Sequence, residues 1–154
     1  MYNQNFTERK EIPTPPPVQY KLLENGKVSE KLFCETAEKI EQSFAQNDNG
    51  RLKGKVSATQ IRRLFDEVKH YQNLITDSEK WEQQFPYIRM MKAKVSYTIA
   101  RAIKSNSRAK AYYTNLENFI FSGIDQIKKQ DDYYIFVALF EAVYGFYYGM
   151  NPDK

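Results

Sequence analysis

One stretch of this chain carries basic side chains and no acidic ones. Residues 83–116 contain no Asp or Glu, and they hold seven cations, namely Arg89, Lys92, Lys94, Arg101, Lys104, Arg108 and Lys110. A field of one sign attracts a polyanion and repels acidic partners. An ordinary solvated helix face usually interleaves both signs, because this lowers self-repulsion. The pattern therefore favours a polyanion-binding surface over an ordinary solvated face.

The charge of the whole chain conceals this asymmetry. The 154 residues include 23 Lys and Arg and 19 Asp and Glu, which gives a net charge of +4. Residues 51–111 hold 14 basic and 5 acidic side chains, a net charge of +9, whereas the segments before and after carry −2 and −3. We therefore expect a nucleic acid to bind the middle of the chain.

Other side chains are expected to join this basic region. Charge geometry adds cations from a loop, the second helix and the third helix that could converge on phosphates, namely Lys53, Lys55, Lys69 and Arg89. Tyr97 lies among the cations of the third helix, where its ring either packs inside the fold or stacks on an exposed base. The residues leave both roles for Tyr97 open.

Catalytic and metal-binding patterns are weak. Cys34 is the only cysteine and His70 the only histidine, which excludes an intramolecular disulfide and a zinc site built on several imidazoles or thiolates of this chain. No phosphate-binding loop or nucleophile elbow is present, and we expect Cys34 to be buried on an apolar helix face. We expect no catalytic residues, no metal and no cofactor. An enzyme using His70 and Asp66, four residues apart, is the remaining catalytic alternative.

The spacing of apolar residues predicts an all-α fold, a single compact bundle of about five helices with a Pro-rich N-terminal tail. Residues 1–27 hold four of the six prolines between positions 13 and 17 and are expected to form an extended or disordered arm. Residues 28–150 are expected to form the helical bundle domain. No apolar signal segment opens the arm, so we expect a cytoplasmic protein.

Local signals predict where the helices begin and end. The first starts after Ser29, and residues 51–56 follow it as a basic loop. Ser57 and Gln60 form a capping-box pattern at the start of the second helix. A short turn precedes a third helix that begins at Pro86, the fourth covers about residues 110–129, and Asp131 caps the fifth.

The third and fifth helices differ in their expected environment. On the third, residues 88, 91, 95, 99 and 102 form the buried side, and Lys94, Tyr97 and Arg101 fall opposite. The fifth is apolar nearly all round, since residues 133–149 contain one charge. Such a helix is either central to a bundle or shared with a partner. We expect a subunit interface on one side of it, which includes Phe140, Tyr144, Tyr147 and Tyr148.

Three stretches together resemble the small subunit of type III-A CRISPR–Cas effector complexes, the Csm complexes. VSATQIR at residues 56–62 is similar to the family's apolar-Thr-Thr-Ser-x-apolar-Arg entry to its second helix, with Ala58 in place of a hydroxyl residue. MKAKVSY at residues 91–97, followed by Arg101, resembles its Lys-x-Lys-x-x-Tyr-x-x-x-Arg helix. FEAVYGFYY at residues 140–148 resembles its C-terminal Phe-Glu-Ala helix. The order and separation of the three make the resemblance more specific than each one alone.

The resemblance implies a non-catalytic, all-helical RNA-binding subunit. Copies in that family stack inside the complex and line the groove where CRISPR RNA pairs with target RNA, so the implied partners are both RNAs, other subunits of the complex and further copies of the chain. Carried over by position, the RNA-contacting residues are Arg62, Lys92, Lys94 and Arg101, with Tyr97 beside them. The alternative is a purely structural assembly subunit with no direct RNA contact.

Overall fold

The computed structural model describes residues 17–48 and 51–150 and places most of them in helices that pack as one bundle. The all-α expectation is therefore confirmed. A π-helical turn, Leu32–Thr36, leads into the first helix, and a 3-10 turn, Ser107–Ala109, precedes the fourth. The helices are α1 (Ala37–Gln42), α2 (Ala58–Leu74), α3 (Ser78–Ser105), α4 (Lys110–Gln126) and α5 (Gln130–Met150).

A two-stranded antiparallel hairpin connects α1 and α2. Its strands are β1 (Ala45–Asp48) and β2 (Arg51–Lys55), with a bulge between Gln46 and Asn47. The prediction of a loop over residues 51–56 was therefore wrong for β2. The sequence Asn-Gly, at residues 49–50, is one that two-residue hairpin connections favour.

The first helix differs from its prediction in phase. The amide of Thr36 donates to the carbonyl of Lys31 over 3.0 Å, a π-type bond that adds one residue to the turn. Leu32 and Ala37 keep their buried positions, whereas Cys34 and Phe33 are exposed. The expectation of a buried Cys34 was wrong, because the extra residue rotates it out of the apolar face.

Two predicted helix starts also need correction. The carboxylate of Asp77 accepts from the amide of Lys80 over 2.8 Å, so α3 begins at Ser78 and contains Pro86 inside it. Tertiary contacts favour this longer helix, since the Trp81 ring lies 6.2 Å from the ring of Tyr133 on α5, between ring centroids. At α5, Asp132 accepts from the amides of residues 128 and 129, and the predicted capping residue Asp131 lies exposed in the first turn.

The capping box of α2 does not form. Ser57 occupies the position before the helix, with extended backbone and no side-chain capping bond. In a capping box the side chain of Gln60 would accept from the amide of Ser57. This amide donates instead to the hydroxyl of Tyr113 over 3.0 Å. A contact 56 residues away in sequence thus replaces the local one.

α5 lies at the centre of the bundle and contacts α1, α2 and α4, while α3 packs on α4 and α2. The core is rich in aromatic rings, and Phe119, Phe136 and Phe140 contact one another with centroids 5.2–6.1 Å apart. Large apolar side chains of α5 therefore fill the space between the other helices.

The beginning of the described chain packs on α4. The Tyr20 hydroxyl donates to the carbonyl of Phe119 over 2.7 Å, and Leu22 is buried, with its amide 2.7 Å from Gln126 Oε1. Gly123 permits this approach, because a Cβ there would overlap both Phe136 and the Tyr20 hydroxyl. The predicted arm is thus attached to the bundle at Tyr20 and Leu22. Residues 1–16 lie outside the described residues.

Candidate nucleic-acid interface

One side of α3 exposes both cations and large apolar side chains. Residues 88, 91, 95, 99 and 102 are buried as predicted. At about 100° per residue, the opposite side of the helix carries a different set. These exposed residues, which we call the α3 face, are Tyr87, Met90, Lys94, Tyr97, Arg101 and Lys104.

Tyr97 is the most exposed ring of the α3 face. Its relative exposure is 64%, so it does not pack inside the fold. The Arg101 guanidinium lies 5.6 Å from the centroid of its ring, a distance at which a cation is attracted to the negative face of an aromatic ring. Tyr97 and Arg101 therefore form one positively charged pair at the surface.

Lys94 is paired with an acidic side chain from another helix. Its Nζ lies 2.9 Å from Glu67 Oε1 on α2, and its side chain remains about half exposed, at 51%. The hydrogen bond and charge of Glu67, with a smaller contribution from Tyr71, raise the pKa of Lys94. Glu67 thus neutralises part of a stretch that contains no acid of its own.

Lys92 lies on a different flank of α3 from Lys94. Two residues correspond to about 200° around a helix, and the Lys92 ammonium reaches α4, where it is 2.6 Å from Asp125 Oδ1 and 4.9 Å from the Phe121 centroid. Arg89 lies on the same flank, 6.0 Å from the Phe85 ring. The structure therefore does not bring Lys92 and Arg89 together with the α3 face.

The remaining predicted cations lie on α2 and the hairpin. Arg62 is exposed, and its Nε lies 3.9 Å from Asp66 Oδ2 on the same helix. Asp66, which the sequence offered as a partner for His70, therefore has a cation beside it. Lys69 is half-buried, and so is Lys55 at the end of β2. The side chain of Lys53 lies outside the described residues.

Sequence reasoning missed four residues of this region. Tyr87 and Met90 are 52% and 47% exposed and precede Lys94 and Tyr97 by seven residues. This spacing could have identified them, but a helix beginning at Pro86 left Tyr87 in its first turn. The acidic partners Glu67 and Asp125 were missed because no local signal connects α2 or α4 to the lysines of α3.

The predicted subunit interface divides between the core and the surface. Phe140 and Tyr147 are 0% and 1% exposed and belong to the core of this chain. Tyr144 is half-buried and stacks on Phe65, with centroids 5.5 Å apart and an interplanar angle of 16°. Tyr148 is 58% exposed. Of the four residues, Tyr148 is therefore the one that can offer most of its ring to a neighbour.

The part of the chain that the structure describes offers no candidate metal site and no candidate membrane span. No group of three or more His, Cys, Asp or Glu side chains within residues 17–48 and 51–150 is placed to hold a metal ion. None of the helices in these two ranges is both long enough and apolar enough to cross a bilayer.

Comparison with known proteins assigns the bundle to a family. A sequence model described as Csm2 Type III-A matches residues 30–151, which include every helix. No curated protein and no solved structure gives a match. The matched range contains the three stretches that resemble the small subunit of Csm complexes. The chain therefore belongs to the Csm2 family, the small subunits of type III-A CRISPR–Cas complexes.

Proposed function

We propose that this chain is a non-catalytic, RNA-binding small subunit of a cytoplasmic type III-A interference complex. Several copies stack along the duplex of guide and target RNA and help to bind target RNA in antiviral defence. Membership of the Csm2 family supports association with other subunits of the complex. RNA contact and stacking are the parts that require a test.

The α3 face is the observation that carries RNA binding. It presents Lys94, Arg101 and Lys104 on the part of α3, residues 83–105, that contains no acid. Cations near phosphates release counterions when RNA binds, so affinity falls as salt rises. We assign phosphate contacts first to these three side chains. Arg62, Lys69 and Lys92 are assigned secondary contacts, because Arg62 and Lys69 lie on α2 and Lys92 lies on the other flank of α3.

The test measures RNA affinity of the full chain against salt concentration. We expect the double variant Lys94→Ala, Arg101→Ala to bind RNA more weakly and to give a shallower plot of log affinity against log salt. Each lost phosphate contact should reduce the slope by about 0.7–0.9. Fluorescence anisotropy with a labelled RNA at several salt concentrations provides both numbers.

A charge-matched control separates local contact from overall charge. Lys31 and Lys39 are exposed and lie before and within α1, away from α3. The double variant Lys31→Ala, Lys39→Ala loses the same charge and should keep the slope of the unmodified chain. Equal slopes for both double variants would remove the α3 face from the RNA interface.

A purely structural assembly subunit is the alternative, and α5 supplies its supporting observation. Tyr148 is exposed, and Cβ atoms built at Gly145 and Gly149 meet no atom within 4 Å, so this end of α5 has room for a close neighbour. If the alternative is right, Tyr148→Ala should block assembly of the complex, and the α3 double variant should assemble and bind RNA normally. Size-exclusion chromatography of the reconstituted complex measures assembly.

A further inference from the structure

The neighbours of Tyr97 on α3 leave one side of its ring open. Positions three and four residues away on a helix are the nearest neighbours on its surface. For Tyr97 these are Ala93, Lys94, Ala100 and Arg101, and all four are exposed. The two alanines are too short to cover a ring, the Lys94 ammonium bonds to Glu67, and Arg101 lies over the ring.

A phosphate is bound by cations, whereas an unpaired nucleobase gains binding energy by stacking on an aromatic ring. Bases in a fully paired duplex are already stacked on each other and offer proteins their phosphates, 2′-hydroxyls and edges. Unpaired bases can leave the stack and lie on an aromatic ring or a guanidinium plane. The open ring of Tyr97 therefore suits an unpaired base, and the cations on the same side of the helix suit its phosphate.

We propose that Tyr97, supported by Arg101, is a stacking platform for an unpaired RNA base. This inference rests on the proposed RNA-binding function and specifies which form of RNA the α3 face prefers. Tyr87 and Met90 extend the same face toward the start of α3. At a rise of 1.5 Å per residue, Tyr87 lies about 15 Å along the helix from Tyr97. They offer a second apolar contact for a neighbouring nucleotide.

A protein partner is the competing occupant for an exposed apolar strip. The charges of the α3 face argue against it, because Lys94, Arg101 and Lys104 alternate with the rings and would remain beside the apolar contact. Charged residues are depleted at the centre of protein interfaces. Cations interleaved with aromatic rings are the usual composition of a surface for single-stranded nucleic acid.

The experiment compares three labelled RNAs of equal length with the full chain, namely an unstructured single strand, a fully paired duplex and the same duplex with one bulged nucleotide. Tyr97→Leu should weaken binding of the single strand and the bulged duplex by about 5- to 150-fold, the range for loss of one stacked base. Binding of the fully paired duplex should not change. Tyr97→Phe, which keeps the ring, should bind all three RNAs like the unmodified chain.

A matched control removes a ring elsewhere. Phe33 is 39% exposed in the turn before α1, and that turn packs on α1 and α5. Phe33→Leu should leave all three affinities unchanged. A 2-aminopurine at the bulge supplies a second measurement, since stacking on Tyr97 should quench its fluorescence in the unmodified chain and not in Tyr97→Leu.

The outcomes separate this inference from the proposed function. If Lys94→Ala, Arg101→Ala weakens all three RNAs while Tyr97→Leu weakens none, RNA binding stands and base stacking is overturned. An equal loss on all three RNAs with Tyr97→Leu also overturns stacking. If Tyr97→Leu prevents assembly of the complex and leaves RNA affinity unchanged, the α3 face binds a protein partner. If the unmodified chain binds none of the RNAs, both proposals fail.

Discussion

Two helices of this protein, α3 and α5, use tyrosine side chains in opposite ways. On α5, Tyr133 and Tyr147 are buried, and their hydroxyls donate to the backbone carbonyls of Val68 and Val56. On α3, Tyr87 and Tyr97 are exposed among cations. The α5 rings connect helices within the chain, whereas the α3 rings are available to a partner.

The difference follows from the residues around each ring. Residues 133–149 contain one charge, so a tyrosine of α5 can enter the core with only its hydroxyl to satisfy, and a carbonyl accepts that hydrogen bond. On α3 a cation precedes Tyr97 by three residues and another follows by four. Burial of that side would also take both charges out of water, which costs more than the ring contributes.

The largest expected effect is a difference between Tyr133 and Tyr97 in how much each contributes to the free energy of unfolding. Tyr133 is 0% exposed, and its hydroxyl lies 2.7 Å from the Val68 carbonyl. Tyr133→Ala should reduce the free energy of unfolding by about 3–5 kcal/mol, because it leaves a cavity and removes the hydrogen bond to Val68. Tyr97→Ala should change it by less than about 0.5 kcal/mol. Urea unfolding followed by circular dichroism measures both.

Similar losses for the two variants would contradict the contrast, because they would place Tyr97 in the folded core. A large loss for Tyr97→Ala would also make its RNA phenotype uninterpretable as lost stacking. The conservative Tyr97→Phe variant then isolates the hydroxyl from the ring.

A smaller effect concerns the stability of the protein at alkaline pH. Burial raises the pKa of Tyr133, with smaller contributions from Tyr71 and Glu67, and burial also raises the pKa of Tyr147 and Tyr20. The unfolded chain ionises these tyrosines near their ordinary pKa of about 10, while the folded chain keeps them protonated. Unfolding therefore releases protons above about pH 10, and the free energy of unfolding falls as pH rises.

Tyr133→Phe should make that fall shallower, by up to about 1.4 kcal/mol per pH unit above pH 10. Urea midpoints measured at several alkaline pH values give the slope. Phe136→Leu is the control, since it perturbs the same core without removing a titrating group and should lower stability equally at every pH. An unchanged slope in Tyr133→Phe would show that this hydroxyl ionises in the folded protein.

The smallest expected effect concerns the acid that faces the α3 cations. Glu67 holds Lys94 at 2.9 Å, and RNA phosphates have to compete with it. Glu67→Gln should raise RNA affinity by about 2- to 5-fold, the equivalent of an exposed ion pair of roughly 0.4–1 kcal/mol. Anisotropy titrations at fixed salt measure the change.

Glu38→Gln on α1 removes an exposed charge elsewhere and serves as the control for net charge. If both variants raise affinity equally, Glu67 acts only through the overall charge. If Glu67→Gln lowers affinity, the Glu67–Lys94 pair positions the lysine for RNA and does not compete with it.

Patterns with a helical period were predictable, while helix starts were less so. The buried sets of α2 and α3 agree with their spacing because one apolar face must meet the core whatever lies opposite. Pro86 carries a good local signal for a helix start, yet α3 begins earlier, at Ser78, and its Trp81 ring contacts Tyr133 on α5. α2 does begin after Ser57 as predicted, but the amide of Ser57 donates to Tyr113 and not to Gln60. Tertiary packing outweighs local propensities of this size.

The candidate site was predictable to the same degree. Periodicity placed Lys94, Tyr97 and Arg101 on one exposed side of α3, and the structure keeps them there. The partners Glu67 and Asp125 come from α2 and α4, 27 and 33 residues away from the lysines that they bind. No pattern within one helix reports a charge contributed by another.

The sequence alone determined the helical fold class, the family resemblance and the basic character of α3, because composition and spacing are properties of the chain before it folds. Only the tertiary structure decided which of those cations remain available. Lys92 and Lys94 each meet a carboxylate of a neighbouring helix, whereas Arg101 meets the ring of Tyr97. Charges that are distant in sequence interact strongly only once packing brings them within a few ångströms.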